Sequence, residues 1–320
     1  MVLTSRLAPP RVSRLAARAA SLRHASRRTW MGARLPYEHG FHAGNFADAM
    51  KHTVLLLLLQ RMCDKESPFV YVDTHAGAGR YDLGGDEALR LGESTDGIDL
   101  LRSAADRMGS AALPMPVRRL IELDAQAAGF YPGSPLLAAE SLRPQDSMLL
   151  CELAPDQYSR LLSCPPIPSM VADGRAKVLC RDGYKTLSSK DKNVLTTQKR
   201  ALVLVDPPYQ MGSDTERTAA LVLHLATHWR SARVAVWYPM RDRAKTRRLY
   251  EQLSRLDLGG KAILAAELTR AEDGGGDGRL PGTGMILVDP HFGVDAELET
   301  LLGALGECLH AEPRVEWLVR

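Results

Sequence analysis

Several apolar, β-branched runs recur along the chain, and four of them lead into an acidic residue. Phe69-Val70-Tyr71-Val72 leads into Asp73, Ser147–Cys151 into Glu152, Ala176–Cys180 into Asp182, and Ala201–Val205 into Asp206. A fifth, Arg233–Trp237, leads into Tyr238 and Pro239. Helical stretches separate the runs. That alternation is the signature of a parallel sheet covered by helices on both faces, so it predicts an α/β fold. Further strands are expected at Ile263–Leu268, Gly284–Val288 and Val315–Val319. Ligands of open parallel sheets bind beyond the carboxyl ends of the strands. A single acid there is more often a helix cap or a loop residue. Four acids along one rim are a candidate site.

About seventy residues, Ala76 to Asp146, separate the first two runs. An ordinary crossover needs far fewer. Residues 86–130 are polar and helical in pattern, broken by Gly109, Pro114 and Pro116. A helical subdomain inserted at about 82–131 is expected, packed on the rim. Glu272–Gly278 reads as a flexible glycine-rich loop. No apolar run is long enough to cross a bilayer. The longest, Val54–Leu59, reads as a turn and a half of buried helix.

The net charge of +3 conceals two different regions. Residues 1–37 hold eight arginines and no acid, which leaves 33 basic against 38 acidic residues, a net −5, in the remainder. A nucleic-acid surface on that body must therefore be a local patch. Residues 1–34 are rich in Arg, Ala, Ser and Leu, the composition of an organelle transit peptide, with mitochondrion favoured over plastid. The competing reading takes Met31 as the true start, with a cytoplasmic protein; residues 35–320 form the working domain in either case. Five cysteines without a CxxC pair read as reduced thiols with no zinc site. His224 and His228 stand four apart, but no HExxH pattern accompanies them, so they read as helix-surface histidines and no metal is expected.

Two motifs carry chemistry. The first run ends in Asp73-Thr74-His75-Ala76-Gly77-Ala78-Gly79. Gly77 and Gly79 permit a tight turn and close backbone approach to a ligand. The full GxGxxG is missing and no clear helix follows at once, which argues against a dehydrogenase pyrophosphate site. Asp206-Pro207-Pro208-Tyr209 is more specific. Two prolines make a rigid extended turn without backbone donors, so its carbonyls and the Asp206 carboxylate are acceptors. Such acceptors can take both N–H bonds of an aromatic amine and aim its lone pair, and Tyr209 offers a flat face for a base. With an already activated methyl donor, alignment supplies much of what remains.

These motifs, together with Phe41-His42-Ala43-Gly44-Asn45, Asp48, Lys51-His52-Thr53, Arg80-Tyr81, Tyr131-Pro132-Gly133-Ser134-Pro135, Glu152-Leu153, Asp182-Gly183 and Trp237-Tyr238-Pro239, stand in the order seen in one family. From about Tyr37 to its end the chain resembles the large-subunit methyltransferase J family of 23S rRNA adenine-N6 methyltransferases. The resemblance implies a Rossmann-like class I methyltransferase fold with an inserted helical subdomain, S-adenosylmethionine as cofactor and large-subunit rRNA as partner. It implies that His52, His75 and Ser134 contact the cofactor near Gly77 and Gly79, that Glu152 holds the ribose hydroxyls, and that Asp182 and Gly183 meet its adenine edge. Asp206, also a cofactor neighbour, would be the catalytic acceptor within Asp206–Tyr209, and Tyr37 would touch RNA. Taken alone, His42 and His75 read more readily as structural histidines. No membrane and no metal complete the expectation; the sequence leaves the oligomeric state open, with a monomer favoured. The arginine-rich extension and the basic, polar linker Thr186–Lys199 depart from the family pattern. Other acceptors (DNA adenine, guanine N2, a protein amide) suit the same motif, and a non-catalytic ribosome-assembly factor is the rival outside enzymes.

Overall fold

β-Branched and aromatic side chains pack well on a sheet covered on both faces, and the apolar runs form strands accordingly. The computed structural model describes residues 43–84, 93–189, 199–209, 213–270 and 280–320. Its strands are β1 (Phe69–Asp73), β2 (Arg80–Asp82), β3 (Phe130–Pro132), β4 (Ser147–Cys151), β5 (Ala176–Leu179), β6 (Arg200–Val205), β7 (Ala232–Pro239), β8 (Ile263–Arg270), β9 (Gly282–Val288) and β10 (Ala311–Val319). The larger sheet has the order β10-β8-β9-β7-β6-β1-β4-β5. The five strands from β7 to β5 run parallel. β9 is antiparallel to both β7 and β8, and β10 is antiparallel to β8. This is the strand arrangement of a class I methyltransferase fold with one more antiparallel strand at its edge. β10 begins four residues before the expected Val315 and includes Pro313, which an edge strand tolerates because one row of its backbone groups is unpaired.

The order reverses between β1 and β6. Chain continuity runs outward from β1 to β4 and β5, then returns to β6 and β7 on the other side. At such a switch point the connections on either side diverge and open a crevice at the carboxyl ends of the strands. Asp73 pairs with Leu204 across β1 and β6, so Asp206 stands two residues beyond that rung.

Helix α1 (Phe46–Cys63) is buried along almost its whole length, including every residue of Val54–Leu59. A helix apolar all round must be enclosed. Here β6, β7 and β9 flank it on the sheet side, and α3 (Met115–Gln126), α4 (Ser134–Ala139) and α10 (Val294–Leu309) enclose it from outside. Within the stretch expected as an insertion, α2 (Ile98–Met108) and α3 lie between β2 and β3, which pair with each other as a separate antiparallel ribbon. These helices pack on α1 and α10 as a second layer. α5 (Pro155–Leu162) and α6 (Ile167–Ala172) follow β4. The opposite face of the sheet is covered by α7 (Gly183–Leu187), α8 (Asp214–His228) and α9 (Arg243–Ser254), with Leu221, Val222, Leu225, Leu249 and Leu253 in its core. No helix among the described residues is long and apolar enough to cross a membrane.

Candidate active site at the strand rim

The site begins with how α1 starts. Asn45 caps the helix by accepting the Asp48 N–H at 2.9 Å, and Asp48 reaches back to accept the Gly44 N–H at 3.0 Å. This reciprocal arrangement satisfies amide donors that a helix start leaves free. It also fixes the Asp48 carboxylate one turn before Lys51. The Lys51 ammonium bridges two acids, with Nζ 2.8 Å from Asp48 Oδ1 and 2.7 Å from Asp206 Oδ2. Burial alone depresses an ammonium pKa, but Asp206 and Asp48 outweigh it and hold Lys51 above the ordinary lysine range. Lys51 is thus a permanent buried cation. Its Nζ also lies 5.6 Å from the centre of the Trp237 ring.

Asp206 follows β6 directly and keeps 13% of its side chain exposed. One oxygen, Oδ2, is engaged by Lys51; Oδ1 has no hydrogen-bond partner among the described residues. Pro207 is buried and Pro208 exposed. Tyr209 has a left-handed backbone, φ +50°, which a side chain other than glycine seldom adopts. Its hydroxyl donates to the Trp237 carbonyl at 2.9 Å, and the two rings meet edge to face with centroids 5.9 Å apart. The Tyr209 phenol is therefore anchored to β7 and only the remainder of the ring is free to meet a ligand.

The end of β1 is braced from beneath. Asp73 is fully buried, and its carboxylate accepts the hydroxyls of Tyr71 at 2.8 Å and Ser134 at 2.7 Å and the His75 N–H at 3.1 Å. Burial pushes the Asp73 pKa up to about 6, against the lowering effect of those three donors. Of the four rim acids, Asp73 is the one turned into the protein. Ser134, expected beside the cofactor, is bonded to it. His52, also buried, shares a 2.7 Å hydrogen bond between its Nδ1 and the Tyr131 hydroxyl and stacks on that ring. His75 is half-buried, with Nδ1 2.7 Å from Thr74 Oγ1 and its ring edge-on to Tyr184. Burial lowers its pKa to about 4, so the ring is neutral at neutral pH.

The loop after β1 is tied to the second acid. Glu152 Oε2 accepts the Gly77 N–H at 2.8 Å and Oε1 accepts the Ala154 N–H at 2.7 Å. A carboxylate has about four lone-pair directions, so each oxygen retains capacity for a further donor. Gly77 has φ +62°, and a Cβ there would lie 2.0 Å from the Tyr81 hydroxyl; Gly79 has φ +83°. The chain turns from Gly79 straight into β2, with no helix on the glycine loop. Asp182 caps α7 by accepting the Lys185 N–H at 3.1 Å and pairs with Arg217, whose guanidinium lies 4.2 Å over the Tyr184 ring. A Cβ on Gly183 would lie 2.2 Å from the Thr74 carbonyl oxygen, so α7 touches the end of β1 through a glycine.

The structure thus gathers His75, Gly77, Gly79, Glu152, Asp182, Gly183 and Asp206–Tyr209 on one rim and sets His52 and Ser134 a layer behind. Tyr37, and with it His42, lies outside the described residues. The main feature missed at the level of sequence is Lys51. Its motif, Lys51-His52-Thr53, gives it no role by itself, although a lone lysine three residues after an acid, at the head of an apolar helix, is a signal. No group of three metal-ligating side chains occurs among the described residues, and His224 and His228 stack on each other on α8.

A family model described as "Ribosomal RNA large subunit methyltransferase D, RlmJ" matches residues 66–319. The chain is 35% identical over 268 residues to "Ribosomal RNA large subunit methyltransferase J" of Escherichia coli strain K12, covering 84% of this chain and 91% of that one. It is 32% identical over 285 residues to the protein of the same name from Haemophilus influenzae, covering 89% and 98%. A crystal structure of a Legionella pneumophila protein superposes with a TM-score of 0.74 at 26% identity, covering 86% of this chain and 98% of that one. With this agreement over most of its length, the chain belongs to the RlmJ family of ribosomal RNA large subunit methyltransferases.

Proposed function

We propose that this protein methylates the N6 amino group of an adenine in large-subunit ribosomal RNA, with S-adenosylmethionine held along the rim of β1, β4 and β5. The observation that carries the reading is Asp206: one carboxylate oxygen is fixed by a buried ammonium, and the other, beside a rigid two-proline turn, has no hydrogen-bond partner among the described residues. S-adenosylmethionine, the standard cofactor of this family and fold, supplies an activated methyl group when bound. The donor set fits it. Glu152 has acceptor capacity for a ribose diol, the neutral His75 adds no positive charge beside a sulfonium, and Asp182 with Gly183 borders the place for an adenine edge. His52 and Ser134 support this rim through Tyr131 and Asp73.

The adenine amine is a weak nucleophile because its lone pair is delocalised into the ring. Asp206 Oδ1 accepts one of its N–H bonds and a carbonyl of the Asp206–Pro208 turn accepts the other. Both interactions strengthen as the nitrogen becomes pyramidal, which is electrostatic preorganisation toward the transition state. Oδ1 is also the atom that receives the amino proton. Lys51 fixes the orientation of the carboxylate and balances its charge. Tyr209 presents its ring to the base while β7 holds its hydroxyl. Tyr37 extends the RNA contact. Outside this unit, residues 1–34 act as an organelle transit peptide, in keeping with their arginine-rich, acid-free composition.

The test is single-turnover methylation of a large-subunit rRNA fragment by Asp206→Ala. The rate is expected to fall by roughly 10²–10³, the scale for losing one preorganised electrostatic partner, with little change in S-adenosylmethionine affinity. A folded variant within tenfold of wild type would overturn the reading.

A further inference from the structure

Outside residues 1–37 the chain is acidic, so phosphate recognition must come from a local concentration of cations. The segment beyond β7 holds one. Arg241, Arg243, Lys245, Arg247 and Arg248 fall within eight residues, and all five are exposed. The acids near Arg241 and Lys245 are committed to other groups. Asp242 caps α9 by accepting the Ala244 N–H at 2.8 Å, Glu251 pairs with Arg247 at 2.9 Å, and Glu216 of α8 pairs with Arg248 at 2.6 Å. Arg241 and Lys245 pair with no acid among the described residues.

Topology places this stretch. β7 is parallel to β6, so its carboxyl end lies on the same rim as Asp206. Trp237, whose ring lies by Lys51 and whose carbonyl holds the Tyr209 hydroxyl, stands four residues before Arg241. At about 3.3 Å per residue that is roughly 13 Å of chain. Met240 is pinned by its N–H to the Gly282 carbonyl at 2.9 Å, so the segment leaves the sheet in a fixed direction. Lys245 stands one turn before the buried Leu249 on the same stripe of α9, and the rim end of the helix therefore projects beyond the core. The proposed cofactor rim lies on the other side of β6, across β1, β4 and β5.

We propose that Arg241 and Lys245, at the rim end of α9, bind backbone phosphates of the RNA strand next to the target adenine and set the direction in which that strand crosses the site. The inference rests on the RNA-methylating reading above and adds to it the side of the site on which the strand lies. Two point cations contribute affinity independent of base sequence, so they position the substrate and take no part in the chemistry.

The experiment compares the wild type with R241E/K245E, with the charge-conserving R241K/K245R, and with R255E at the far end of the same helix, each on a naked rRNA fragment at several salt concentrations. The KM for RNA should rise in R241E/K245E at low salt and return in R241K/K245R. Its logarithmic dependence on salt should become shallower by about 1.4, two phosphate contacts at about 0.7 each for a single strand. kcat at saturating RNA, S-adenosylmethionine affinity and melting temperature should hold in all variants, and R255E should match wild type. A KM and salt slope unchanged in R241E/K245E would overturn the proposal, as would an equal effect from R255E, which would make net charge the cause. An effect seen on an assembling particle but not on naked RNA would assign the patch to a protein partner and overturn it as well. A wild type that methylates no RNA sinks the underlying reading, whereas an active wild type with an indifferent patch sinks this one alone.

Discussion

Lys51 shows how one buried side chain can organise a site. Its ammonium stands between Asp48 and Asp206, and removing it leaves two carboxylates in a nearly dry environment. Breaking a buried ion pair by deleting one partner costs about 3–5 kcal/mol. Lys51→Met should therefore lose stability on that scale in urea denaturation, and turnover should fall because Asp206 loses its fixed orientation; a variant as stable and as active as wild type would remove Lys51 from the site. His75 makes a prediction about pH. Its folded pKa of about 4 lies below the ordinary 6.5, so the unfolded chain binds more protons between those values. The stability this group contributes is complete above about pH 6.5 and is lost as pH falls through about 4. Asp73, raised from 3.8 to about 6, works in the opposite sense: the folded state binds more protons there, so its contribution declines as pH rises through that window. The difference between wild type and His75→Gln isolates the histidine. Melting temperatures from pH 4 to 7 should show the wild type gaining more than the variant as pH rises; parallel curves would refute the assignment.

At the scale of elements, the decisive contact is the one between α7 and the end of β1. Gly183 permits it, because a Cβ there would come within 2.2 Å of the Thr74 carbonyl oxygen and 2.7 Å of its Cα. Backbone cannot yield as a flexible side chain can, so Gly183→Ala must move α7 outward, and with it Asp182, which both caps α7 and pairs with Arg217. Calorimetry should show weakened S-adenosylmethionine binding and a lowered melting temperature together. Wild-type affinity in this variant would mean that α7 does not border the cofactor. The sequence made the strand ends legible here and left the helix contact hidden. Asp182-Gly183 reads as a strand-end acid followed by glycine, but the reason for the glycine is Thr74, more than a hundred residues away. Helix α1 teaches the same lesson in reverse. Its apolar run predicted burial correctly, because a run without a polar face has no solvated side to offer.

For the whole molecule, sheet order decides what meets what. The reversal between β1 and β6 brings the glycine loop and the Asp206 turn to one crevice, while β9, inserted antiparallel beside β7, supports Trp237 through a 2.8 Å hydrogen bond from its indole N–H to Thr283. The arginine-rich residues 1–34 are proposed to act only as an address. A chain starting at Met31 should therefore methylate rRNA as well as the 320-residue chain, and residues 1–34 fused to a fluorescent reporter should carry it into an organelle, with mitochondria expected. A reporter left in the cytosol would remove the address, and an inactive shortened chain would show that the segment takes part in the reaction.

The eight strands of the larger sheet, the acids at their ends, the buried helix and the Asp206–Tyr209 turn were legible in the sequence alone, since each follows from local rules: side-chain period, β-branching, and the stiffness of consecutive prolines; the short β2–β3 ribbon, within and beside a stretch read as helical, was not. The ordered motifs also carried the family. Only the tertiary structure decided that Lys51 meets Asp206 across 155 positions, that Tyr71 and Ser134 turn Asp73 inward, that His52 rests on Tyr131, and that Arg241 and Lys245 share a rim with the Asp206–Tyr209 turn. The reason is physical. Those partners are chosen by strand register and by how α1, α7 and α9 dock on the two faces of the sheet, and no local periodicity encodes a contact between segments that meet only when the sheet has closed around them.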